Sequence, residues 1–211
     1  VGIAFRNQDG SLQALHLGWH HRLYCHLLDT AEPWVIAKTG LDDFSARIFW
    51  SVVATIPAFA PQIGYGTNWI GARGSFVQHL YSPPADSDGL TCATFVSEIF
   101  AGAGFDVIDA NSWPINTTEA LAWRADVVAA LRETLPASPE TDKHIANIES
   151  RPTVVRLRPA EIAGAATSDM DSWAIGHEDA LEIAKQVLKD FAEAKVSMCA
   201  AEPVVKCNTG T

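Results

Sequence analysis

Two sets of residues in this sequence could do chemistry together. One is Cys92, in the run Leu90-Thr91-Cys92-Ala93-Thr94-Phe95-Val96. The other is a group of histidines, His16, His20, His21 and His26, four of the seven in the chain. Phe95, Val96, Ile99 and Phe100 recur at helical spacing, with Ser97 and Glu98 off the apolar stripe, so a helix is predicted here. Thr91 is its expected N-cap, which puts Cys92 in the first turn. A thiol at that place faces the positive end of the helix dipole and unpaired backbone N–H groups. Both favour the thiolate, which is the nucleophile. The plainer reading of Cys92 is a buried cysteine packing as a small hydrophobe. Among the histidines His16 stands apart, because it lies in an apolar, strand-like run where an imidazole needs a polar partner.

The elements that must position these residues follow from the local pattern. Val1 to Arg6 and Ser11 to Trp19 read as the two strands of a hairpin about the turn Asn7-Gln8-Asp9-Gly10, which sets His16 opposite Val1. Leu23 to Leu28 is a third candidate strand. Asp42 to Ala58 reads as a helix with Phe44, Ile48 and Val52 on one apolar side, disrupted near its end by Pro57. The glycine-rich stretch from Ile63 to Gly74 is an irregular connection. Its Gly64-Tyr65-Gly66 lacks the lysine of a P-loop, so it is read as a loop packing beside the cysteine helix. Glu119 to Leu135 and His177 to Ala194 read as amphipathic helices, the second burying Leu181, Ala184, Val187, Leu188 and Phe191. Asp142 to Ser150 reads as a shorter helix. Thr153 to Arg158 alternates like a strand, and Pro159 opens a helical turn.

Composition narrows the function classes. The 211 residues carry a net charge of −10, which argues against nucleic acid or an anionic membrane surface as partner. No apolar run reaches the roughly 20 residues a membrane span needs. The four cysteines, at 25, 92, 199 and 207, form no zinc-like spacing, and Cys199 and Cys207 are either a local disulfide or two free thiols. The chain reads as one domain, 1–211, with a helical C-terminal extension from about residue 164.

In this order, a histidine hairpin, a helical stretch, a cysteine opening a helix and a late strand, the chain resembles the circularly permuted papain-like group. That group comprises the permuted NlpC-type cysteine peptidases and the lecithin retinol acyltransferase-like enzymes. The resemblance is carried by Val1-Gly2-Ile3, Asp9-Gly10, Leu15-His16-Leu17, Tyr65-Gly66, Thr91 to Val96, and Arg158 to Ala163. It implies an α+β, permuted papain-like fold with an antiparallel sheet packed on the cysteine helix. It also implies a cysteine peptidase or amidase with Cys92 as nucleophile and His16 in the catalytic set, needing no metal or cofactor. Family hairpins often carry the general-base histidine directly before Val-Gly, a position that falls before Val1 here. On that alignment His16 orients the base; on a shifted one, His16 is the base and His26 orients it. Tyr65 is the candidate substrate-binding residue. A peptide, a cell-wall stem peptide or a lipid amide fits the acidic chain.

Three other readings stay open at this point. One is an acyltransferase on the same scaffold, and another is a catalytically inactive module that binds peptide or lipid. The third is a metal site built from His16, His20, His21 and His26, which lacks carboxylates at suitable spacing. Oligomeric state and localisation are not legible in the sequence.

Overall fold

The computed structural model describes residues 1–7, 9–28 and 34–200, with side chains through 193. Cys207 lies outside the described residues and Cys199 outside the described side chains, so their pairing does too. Strands β1 (Ile3–Arg6), β2 (Leu12–Trp19) and β3 (Arg22–Leu27) form an antiparallel sheet in that order. The first turn takes five residues, not the four expected, because the Asn7 N–H bonds the Ser11 carbonyl at 2.8 Å and Arg6 then pairs with Leu12. The register therefore sets His16 beside Gly2 rather than Val1. Neighbouring residues of a strand point to opposite faces, so one place matters. Leu15 and Leu17 are fully buried in the main core, and His16 between them lies on the sheet's other face.

Helix α3 (Cys92–Gly102) runs through the middle of that core. Against it packs α1 (Asp43–Val53), capped by the Asp42 carboxylate on the Ser45 N–H. Here the buried face differs from the expected one: Phe49 and Val53 point inward, while Phe44 is 74% exposed. The cause is Phe49 stacking on Phe100 of α3 at 4.1 Å, a contact that local periodicity does not announce. The stretch read as irregular holds a short helix, α2 (Trp69–Ala72), and a small hairpin of β4 (Phe76–Val77) and β5 (Leu80–Tyr81) follows it.

Helices α4 (Thr118–Thr134) and α5 (Pro139–Ser150) are capped by Thr117 and Ser138. Together they bury a second, smaller core of Val127, Val128, Leu131, Ile145 and Ile148, with Trp19 and Tyr65 packed on it. Thr153 to Arg158 is not a strand; one parallel bridge joins Val155 to Asn68. The backbone there is satisfied by a side chain instead. The Asn116 amide accepts from the Val154 N–H and donates to the Pro152 carbonyl, at 2.8 Å each. Glu119 takes up Arg156 and Arg158.

The chain ends its described part with α6 (Pro159–Thr167) and α7 (His177–Ala200), which lie so close that a Cβ on Gly164 would meet Ile183. The buried side of α7 is Ala180 and Ala184, whereas Leu188 of the expected stripe is 59% exposed. Ile162, Ala165 and Ala180 belong to the main core, which thus continues past residue 164. The architecture is mixed α+β with small antiparallel sheets.

Candidate active site

Cys92 is the first residue of α3, half-buried and unbridged, with Thr91 as N-cap. The cap is reciprocal: the Thr91 hydroxyl accepts from the Thr94 N–H at 3.1 Å, and the Thr94 hydroxyl accepts from the Thr91 N–H at 2.7 Å. The start of the helix is therefore fixed just where the thiol emerges. Downstream, Ser97 and Glu98 are buried rather than solvated, Glu98 being only 1% exposed. Its carboxylate accepts the Trp69 indole N–H at 3.1 Å and the Gly74 N–H at 2.7 Å. Burial pushes the Glu98 pKa up, against the pull of those donors and of Arg73. An amphipathic pattern reads a charged residue as solvent-facing, and here it instead ties the preceding loop to the cysteine helix.

That loop reaches α3 through two close backbone crossings. The Leu90 N–H donates to the Gly64 carbonyl at 2.8 Å, and the Thr67 and Asn68 N–H groups donate to the buried Asp88 carboxylate at 3.1 and 3.0 Å. Burial raises the pKa of Asp88 as well. Gly89 has φ of +120° and a Cβ there would run into the Gly64 carbonyl; one on Gly66 would strike Asp88. The glycines flanking Tyr65 and the one before Leu90 thus let the two segments touch, as the expected packing beside the helix requires.

The result is a Tyr65 loop pinned against the residues just before Cys92. The Tyr65 phenol is pushed up to about 12, first by burial and then by the electrostatic influence of Cys92, so it stays a hydroxyl donor. Its ring leans on Trp19 at 4.5 Å. Two imidazoles hold its backbone: His20 Nδ1 accepts the Tyr65 N–H at 3.2 Å, and His144 Nε2 lies 3.0 Å from the Tyr65 carbonyl. The rings of His20 and His144 are 4.3 Å apart, and those of His20 and His21 are 3.9 Å apart. Burial, then the charges of His144 and His21, bring His20 down to about 4, which leaves it neutral at pH 7. His144, on α5, was not singled out in the sequence. It follows no motif, and only the packing of α5 on the loop brings it in.

His16 is placed elsewhere. Its ring neighbours are Tyr24 at 5.2 Å, His26 at 5.3 Å and Trp34 at 5.8 Å, on the sheet face turned away from Leu15 and Leu17. The four clustered histidines are thus divided into an outer pair, His16 and His26, and a turn pair, His20 and His21. Among the described residues no group of three His, Cys, Asp or Glu side chains is arranged to hold a metal ion. Trp69 and Trp113 are core, at 1% and 3% exposure. Cys25 is exposed, bonded to Gln13, and its pKa is raised by burial of its sulfur.

No family model matches the chain, and no curated protein or solved structure matches it either. No described helix is long and apolar enough to cross a membrane.

Proposed function

We propose that this domain is a cysteine-dependent hydrolase, a peptidase or amidase of the permuted papain-like kind. The observation that carries the reading is the half-buried Cys92 thiol on the first turn of a capped core helix, with the Tyr65 loop bound to the residues just before it. In the proposed reaction an imidazole takes the thiol proton and the Cys92 sulfur adds to an amide or ester carbonyl. Backbone N–H groups at the start of α3 receive the oxyanion, each worth roughly 3 kcal/mol in such sites. The tetrahedral adduct collapses, the C–N or C–O bond breaks, and the imidazolium returns its proton to the leaving group. Water then attacks the thioester, giving acid and free thiol. An acceptor other than water would make the same steps an acyl transfer.

The resemblance makes His16 either that imidazole or the residue that orients it; its ring lies with Tyr24 and His26 on the sheet face turned away from Leu15 and Leu17. The net charge of −10 favours a peptide, a cell-wall stem peptide or a lipid amide over a polyanion. The test is a panel of activated amides and esters with mass analysis of the protein. An acyl adduct on Cys92 and turnover lost in Cys92→Ala support the proposal. Turnover retained in Cys92→Ala, or no adduct with any member, overturns it.

A further inference from the structure

Both backbone groups of Tyr65 are bonded to histidine side chains, and these come from elements far apart in the chain. The carbonyl has no hydrogen to give, so His144 Nε2 must carry the proton in its 3.0 Å contact. The N–H has no lone pair to offer, so His20 Nδ1 must be bare in its 3.2 Å contact, and a neutral His20 holds its proton on Nε2. The neighbouring backbone is fastened by other means. Ile63 accepts from the His21 N–H, Gly64 accepts from the Leu90 N–H, and Thr67 and Asn68 are bound by Asp88. The residue that carries the phenol, on the loop bonded to Leu90, is the one gripped by imidazoles.

We infer that His20 and His144 are positioning residues, which hold the Tyr65 phenol toward Cys92 by clamping the Tyr65 backbone from its two sides. The inference deepens the reading of Cys92 as the nucleophile and rests on it. The two imidazoles are not equivalent. Protonating His144 leaves its donated bond intact, whereas protonating His20 turns the acceptor into a donor facing a donor. The clamp is therefore closed at neutral pH and opens when His20 gains its second proton. The titratable groups around it are His21 in the same turn, His144 on α5, Tyr65 in the loop, and Cys92 and Asp88 across that loop.

The experiment is the rate of Cys92 alkylation by iodoacetamide against pH, read peptide by peptide on the full chain. It compares wild type with Tyr65→Phe, His20→Ala, His20→Asn, His144→Ala and His144→Gln. The amide oxygen of asparagine replaces the Nδ1 acceptor, and the amide nitrogen of glutamine replaces the Nε2 donor. Expected at pH 7 is a change of about two- to tenfold, the size of one hydrogen bond, shared by Tyr65→Phe and both alanine variants. His20→Asn and His144→Gln should stay near wild type. Below pH 5 the wild type should drift toward the His20→Ala rate while His20→Asn does not. Loss in the asparagine and glutamine variants as large as in the alanine ones overturns the clamp, since the imidazoles would then act otherwise. So does a Tyr65→Phe rate equal to wild type while the alanine variants change.

Should an alanine variant fail to fold, long-range proton–nitrogen spectra of the wild type decide alone. A bare Nδ1 on His20 supports the clamp and a protonated one at pH 7 refutes it. Alkylation needs no turnover. The clamp pattern without hydrolysis of any substrate therefore rejects only the hydrolase reading, and hydrolysis without the pattern rejects only the clamp.

Discussion

The two histidine groups, one on the β2–β3 sheet and one in the turn between those strands, differ in what they are attached to. On the outer face His16 and His26 sit with Tyr24 and Trp34, aromatic rings resting on a sheet. In the turn beyond Trp19, His20 and His21 sit with His144, and His20 is bonded to the loop that lies against the start of the cysteine helix. Only a few residues separate the groups along the chain. Strand alternation turns His16 from the core, while the turn carries His20 past the sheet's edge to where the two hydrophobic cores meet. Proximity in sequence to a plausible motif is thus a weaker guide than the face on which a strand presents a side chain.

The sharpest way to break the contrast is to part the Tyr65 loop from α3. Gly89→Ala forces a side chain into a φ of +120° and against the Gly64 carbonyl, so a loss of roughly 3 kcal/mol or more is expected in urea unfolding. An unchanged midpoint would mean that the crossing of the two segments is not as close as described. Glu98→Ala leaves the Trp69 indole and the Gly74 N–H without their shared acceptor. About 2–4 kcal/mol should be lost, with Glu98→Gln losing less because it keeps an acceptor oxygen. Equal losses in the two would point to the charge rather than the bonds.

A smaller effect separates the groups by pH. His20 has its pKa lowered from 6.5 to about 4 in the folded protein, so the unfolded chain binds more protons between those values. Stability from this group is complete above about 6.5 and is lost as the pH falls toward about 4. The raised pKa values of Asp88 and Glu98 work the other way, favouring the fold at low pH through the carboxylate range. The quantity to measure is therefore the melting temperature of wild type minus that of His20→Asn. It should fall on going from pH 7 to 4.5, and a constant difference would place His20 in a more open setting than the structure gives it.

Much of the frame was legible in the residues. Thr91 as cap, Cys92 in the first turn, the three strands of the sheet, and the loop of Gly64 to Gly66 beside the cysteine helix all follow from local chemistry. What escaped depends on contacts between distant segments. The buried face of α1 is chosen by Phe100, Glu98 is drawn inward by donors on another loop, and Val154 is satisfied by Asn116 instead of a strand partner. His144 belongs to the same class, because an isolated histidine on a polar helix gives no sign of the carbonyl it will meet.

The most direct test of where the site lies is the rate of Cys92 alkylation at pH 7 in His16→Ala and in His20→Ala, with Cys25 as the internal reference thiol. The account predicts that Cys92 reacts ahead of Cys25, that His20→Ala alters its rate by about two- to tenfold, and that His16→Ala alters it less. A larger change in His16→Ala than in His20→Ala would contradict it and move the functional centre to the outer face of the sheet.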